Sequence, residues 1–220
     1  MSERLTVGDA GVIDAAVAAI KAGELIVIPT DTVFGIAADA LNPDAVQALL
    51  DAKGRGRQQP PPVMVAEPFM LRSLGKVTPE AKYLAETFWP GALTLVIAAH
   101  PELHLDLGDR GETIAVRVPN ADWLRELLRQ TGPLAVSSAN LTGQPAAHSA
   151  ADAEAQLGES VALYVDETAG AAGQLPSTIV DVTVAGAWQI LREGALSETD
   201  IQRALPPLRE LFYPEAEAGA

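Results

Sequence analysis

The apolar run Leu25-Ile26-Val27-Ile28 passes directly into Pro29-Thr30-Asp31-Thr32-Val33-Phe34-Gly35. Two hydroxyls and a carboxylate at the end of a buried strand can face a small polar ligand. The same residue types also close turns by bonding to nearby backbone, so turn and site both stay open here. Next comes Lys53-Gly54-Arg55-Gly56-Arg57, three cations in five positions. The chain has only 15 Lys and Arg against 29 Asp and Glu, yet no acid lies between Gly54 and Ala66. Lys53 closes a helix, where the dipole favours a cation. Arg55 and Arg57 lie beyond it, separated by glycines. Guanidinium groups bind phosphate bidentately and an ammonium binds it as a point charge. The alternative is a solvated basic loop. The glycine patterns of the Walker A and dinucleotide-binding loops are absent.

Three further segments carry polar groups at strand ends. Ser137-Ser138-Ala139-Asn140 follows the buried run Leu134–Val136, where ligands collect in α/β proteins; a turn is again the alternative. Ser138 lacks a nucleophile-elbow context and a His partner, so covalent catalysis through it is not expected. Arg117 is the single charge in Thr113–Pro119. On the same face as Thr113 and Ala115, it would lie beside Thr113 and could hold a carboxylate; an Arg on an exposed strand face is otherwise structural. Ser177-Thr178 opens a strand and Arg192 ends one, each a weak signal alone.

These segments need elements to position them. Helices are expected from Val12 to Ala22, from Asn42 as cap through Ala52, from Thr78 to Phe88, from Asn120 as cap to Arg129, after Ser149, and from Ser197 with Asp200 to Leu205. Strands are expected at Glu24–Ile28, Phe34–Ala38, Pro62–Ala66, Leu93–Ala98, Thr113–Val118, Leu134–Val136, Ala162–Val165, Ser177–Val182 and Ala187–Leu191. Intermixed helices and strands, some strands consecutive, predict one α/β domain with a mixed parallel and antiparallel sheet over residues 1–205. Residues 206–220 form a tail, with its acidic end, Glu215 to Ala220, expected to be disordered. Zero Cys excludes disulfides, thiolate catalysis and Cys-bound zinc, and the three His are too scattered for a His-based metal site. There is no signal-peptide pattern and no apolar run of membrane-spanning length, so a cytoplasmic protein is expected. A formal net charge of −14 opposes general attachment to nucleic acid or anionic lipid.

Taken in order, Pro29–Gly35, Lys53-Gly54-Arg55, Phe88-Trp89-Pro90-Gly91-Ala92-Leu93-Thr94, Thr113–Pro119, Ser138-Ala139-Asn140, Ser177-Thr178-Ile179 and Leu191-Arg192-Glu193-Gly194 resemble the YrdC-type threonylcarbamoyl-adenylate synthases. The resemblance spans roughly Gly11 to Leu205. It implies a twisted mixed sheet around a concave, positively lined cavity. It also implies a nucleotidyl transfer: L-threonine and bicarbonate give N-carboxy-threonine, whose carboxylate attacks the α-phosphate of ATP and releases pyrophosphate. A partner transferase then passes the threonylcarbamoyl group to tRNA. Carried over by position, Thr30, Thr113, Arg117, Ser138 and Ser177 would serve threonine. Lys53, Arg55, Arg57, Gln59, Asn140 and Arg192 would serve the nucleotide, with Mg2+ bridging the phosphates and no residue acting as covalent nucleophile.

The chain departs from the family at Gln59, where Asn is usual, at Met64, where a His is usual, and at Ala146, where a nucleotide-binding Ser is often found. Arg57 is expected to compensate for the His. The chain resembles the short form, without the additional C-terminal domain of larger relatives. Two other readings are an RNA-binding module, opposed by the acidic charge, and a carbamoyl-adenylate-forming domain, opposed by the lack of Cys-rich zinc motifs.

Overall fold

A computed structural model describes residues 2–109, 111–167 and 175–205. Its helices are α1 (Val12–Lys21), α2 (Pro43–Lys53), α3 (Leu71–Leu74), α4 (Pro79–Phe88), α5 (Asp122–Thr131), α6 (Ala150–Leu157) and α7 (Glu198–Ala204). Its strands are β1 (Glu3–Thr6), β2 (Ile26–Ile28), β3 (Gly35–Asp39), β4 (Val63–Met64), β5 (Gly75–Lys76), β6 (Leu93–Ala99), β7 (Thr113–Arg117), β8 (Leu134–Ser138), β9 (Leu163–Asp166), β10 (Thr178–Asp181) and β11 (Gln189–Arg192).

Helix starts follow their caps. Asn42 accepts from the N–H groups of Asp44 and Ala45, with Pro43 at the first helical position. Thr78 caps α4, Ser149 caps α6, and Ser197 with Asp200 forms a capping box on α7. The cap expected at Asn120 is not used: α5 begins one residue later than that cap would place it, behind Ala121, with no side-chain cap bond. Its apolar face, Leu124, Leu127 and Leu128, fixes the helix by burial instead.

The strands join in the order β1-β9-β2-β3-β8-β4-β7-β6-β10-β11, with β5 beside β6. Pairing is mixed, as the element order predicts: β2, β3 and β8 run antiparallel, while β6 with β10 and β2 with β9 run parallel. Three apolar clusters pack helices on this sheet. The strand expected over Pro62–Ala66 contracts to Val63–Met64, since Pro62 has no N–H to give the ladder. The last strand is shifted to Gln189–Arg192. β1 was not expected; it adds to β9 in parallel and supplies little burial of its own. The tail from residue 206, including its expected disorder, lies outside the described residues. Among the described residues no helix is long and apolar enough to cross a membrane.

Candidate active site

A cavity of about 840 Å³ opens on the sheet and brings most of the polar candidates together. Thr30, Gln59, Thr113, Arg117, Ser138, Asn140, Ser177, Arg55 and Arg192 all line it; Lys53 and Arg57 are not in its lining.

Thr30 and Thr32 follow β2 because Pro29 interrupts the ladder. The Thr30 hydroxyl donates to the Val33 carbonyl at 2.7 Å and accepts from the Thr32 N–H at 3.1 Å. The Thr32 hydroxyl lies 3.0 Å away and itself accepts from Arg117 Nη1 at 2.7 Å, so its proton goes to Thr30. Thr30 Oγ1 thus has its one proton and both lone pairs engaged. The segment is a turn whose side chains also form a cavity wall.

Arg117 ends β7, 3% exposed. Its guanidinium donates to the Gly91 carbonyl at 3.0 Å, to Thr32 Oγ1, and to Asp31 at 2.6 Å. Burial lowers its pKa and the Asp31 carboxylate opposes that shift. Asp31 therefore serves as counter-ion to Arg117. Thr113 shares the face of Arg117, as expected, but adjacency is corrected: three residues of strand lie between them, and four steps make about 13 Å at the strand rise.

The basic segment splits into three fates. Lys53 is 3% exposed, and its ammonium donates to the carbonyls of Ser138 and, at 2.6 Å, Asn140. Burial, then the neighbouring Arg55, push its pKa down to about 8. Gly54 turns the chain in the left-handed conformation at φ 59. Arg55 then enters the cavity and donates to Ser137 Oγ at 2.8 Å, with its buried Nε unpartnered among the described residues. Arg57 leaves it. Its guanidinium ion-pairs with Asp106 and with Asp109 at 3.2 Å and reaches Gln47 at 2.8 Å. The expectation that Arg57 adds a cavity cation is corrected: acids from the β6–β7 connection hold it at the surface, and their hydrogen bonds raise its pKa.

Asn140 is 92% buried (8% exposed), and its Nδ2 donates to the carbonyls of Leu141 and Gln144, both at 2.8 Å. That fixes the amide and leaves Oδ1 without a partner among the described residues. A buried orphan acceptor and a buried orphan guanidinium N–H, both on residues that line the cavity, are each expensive unless a ligand completes them. On the opposite wall Arg192 donates to the Ser177 carbonyl at 2.7 Å, and Ser177 Oγ lies 2.8 Å from Thr94 Oγ1. Burial depresses the Arg192 pKa, and Arg117 and Arg55 depress it further, so the three guanidinium groups share one field. Such a site neutralises a polyanion and orients a carboxylate; it offers no activated nucleophile.

Met64 and Ala146 occupy lining positions, so the departures at these residues fall inside the cavity. Sequence reasoning missed Thr94 and Asp181, both in the lining. Period-two alternation from Ser177 through Ile179 would have placed Asp181 on the same face.

The chain matches the family model for Sua5, YciO and YrdC proteins, described as Telomere recombination, over residues 18–194. It is 48% identical over 194 residues to a protein of Mycobacterium leprae named putative threonylcarbamoyl-AMP synthase, covering 88% of this chain and 87% of that one. It is 34% identical over 215 residues to the threonylcarbamoyl-AMP synthase of Bacillus subtilis, covering 94% of this chain and 60% of that one. Among solved structures it is similar to P. abyssi Sua5 complexed with L-threonine, with TM-score 0.81 and 29% identity over 94% of this chain and 61% of that one. This chain thus spans about three fifths of the length of the last two.

Proposed function

The chain belongs to the family of Sua5, YciO and YrdC proteins, and from that membership we propose that it is a threonylcarbamoyl-AMP synthase. It joins L-threonine, bicarbonate and ATP and thereby supplies tRNA modification. The observation that carries the reading is the cavity: three arginines surround it, and it includes two buried polar atoms awaiting partners.

The threonine amine and bicarbonate form an N–C bond with loss of water. One oxygen of the new carboxylate then attacks the α-phosphorus of ATP, and the P–O bond to pyrophosphate breaks. Arg117 holds the amino-acid carboxylate. Arg55 and Arg192 hold phosphate oxygens and stabilise the charge that gathers on the leaving group. Lys53 acts one step back, by fixing the backbone of Ser138 and Asn140. Gln59 and Asn140 face the nucleotide. Thr30 meets threonine through its methyl group, because its hydroxyl is saturated.

Mg2+ suits this site in one form only. Asp181 is the single acid among the described lining residues, so phosphate oxygens and water would supply most ligands. When bound, the ion neutralises phosphate charge. The product passes to a tRNA-modifying threonylcarbamoyl transferase in the cytoplasm. Direct tRNA binding is expected to be weak, given the net charge of −14. Purified protein with ATP, Mg2+, threonine and bicarbonate should release pyrophosphate. Release that does not depend on threonine, or no release at all, would remove the synthase reading.

A further inference from the structure

The cavity is electrostatically lopsided. Its arginines share one field, with Arg192 on Ser177 and Arg55 on Ser137, whereas Asp181 lies at the far end of β10. The register fixes this. Asp181 pairs with Val96, and Val96 pairs with Ala115, so these three form one row across the floor. Thr113 stands two residues beyond that row on its own strand. Ser177 stands four residues before Asp181, about 13 Å away along the strand. The Arg192 guanidinium folds back onto Ser177, away from Asp181. Asp181 Oδ1 accepts from the Thr183 N–H at 2.9 Å and the Thr183 hydroxyl at 2.8 Å. No hydrogen bond to Oδ2 occurs among the described residues, and Asp181 lines the cavity on the face it shares with Ser177 and Ile179.

We propose that Asp181 is a specificity-determining residue that accepts hydrogen bonds from the neutral N–H or O–H donors of the nucleoside part of ATP. This rests on the synthase reading. A carboxylate repels phosphate, so the triphosphate stays with the arginines. Threonine, tethered by its carboxylate to Arg117, is held by a guanidinium that bonds to Asp31 and Gly91, on a strand position two residues from the row of Asp181. The nucleoside is the one reactant portion that extends from the phosphates and still carries donors. Those donors are the ribose hydroxyls and the base amino group. Leu107 and Pro60, which also line the cavity, give it apolar cover.

The test compares ATP with 2′-deoxy-ATP, 3′-deoxy-ATP and inosine triphosphate on wild type, Asp181→Ala and Asp181→Asn. Affinity is read by calorimetry, and kcat/KM by pyrophosphate release. Wild type should disfavour at least one analogue by about tenfold to a hundredfold, the size of a hydrogen bond to a charged group. Loss with the deoxy analogues identifies the ribose, and loss with the inosine nucleotide identifies the base. Asp181→Ala should bring the ratio to within about twofold while KM for threonine stays unchanged. Asp181→Asn keeps an acceptor for Thr183 and controls for folding. The proposal is overturned if wild type does not discriminate, or if Asp181→Ala discriminates as wild type does. It is also overturned if the variant changes only the Mg2+ requirement or only thermal stability. Discrimination in binding without turnover would remove the synthase reading and leave the nucleoside contact standing.

Discussion

Replacing Arg117 with Ala separates the two substrates most sharply. The change removes bonds to Gly91, Thr32 and Asp31 and leaves the Asp31 carboxylate, with 13% side-chain exposure, without its counter-ion. Breaking one side of a buried pair costs about 3–5 kcal/mol. The residual exposure of Asp31 puts this case at about 3 kcal/mol, which for a chain of this length lowers Tm by about 6–12 °C. Losing the proposed charge-assisted contact to the threonine carboxylate should cost about 1.5–3 kcal/mol, or roughly tenfold to 150-fold in Kd. ATP binding, assigned above to Arg55 and Arg192, should weaken by no more than about threefold, a residue of the shared field. Thermal unfolding and calorimetric titration with each substrate measure these effects. Arg117→Lys keeps the charge but not the planar fork, so it should recover stability more than threonine affinity. Equal losses for threonine and ATP, or unchanged threonine affinity, would refute the assignment.

Two further outcomes follow from the same geometry. The native pKa of Lys53, about 8, lies below the usual 10.5, so the unfolded chain holds more protons between those values. Stability should therefore rise with pH across that window, while the ATP KM rises above about pH 8 as the site loses a positive charge. Lys53→Arg should flatten both profiles, and an unchanged pH dependence in that variant would exclude Lys53 as the origin. At Gly194 an added Cβ would run into the Pro176 carbonyl oxygen and lie 2.7 Å from the carbonyl carbon and oxygen of Ser177. None of these is a flexible side chain, so Gly194→Ala should cost about 1–3 kcal/mol and raise the ATP KM by displacing the anchor of Arg192. Urea unfolding and steady-state kinetics test this; wild-type values in both would contradict it.

What the sequence revealed and what it hid divide along range. Asn42, Thr78, Ser149 and the Ser197–Asp200 pair act within one helical turn, so their caps are visible in a short window. The site blocks at strand ends were visible for the same reason. Lys53, Arg55 and Arg57 look alike in sequence, but apart from Gln47 their partners come from residues 49 to 87 positions away, and those partners decide which cation enters the cavity. Asp31 next to two threonines suggested a free ligand group, while Arg117, 86 residues on, claims it. Thr113 shows the converse limit: the alternation gave its face correctly, but the spacing along the strand removes it from Arg117.

Lys53, Arg55 and Arg192 bond mainly to carbonyls and hydroxyls, not to acids. Their charge is oriented but not cancelled, inside a molecule whose formal total is −14. At physiological ionic strength both fields fade within about 8 Å. A small polyanion diffusing past therefore gains no pull from afar, and close in it meets a cationic cavity set in a molecule of net negative charge. Capture is decided in the last ångströms of approach. Added salt should relax the outer barrier and the inner attraction together, so the arrival rate is buffered against ionic strength more than the dwell time is.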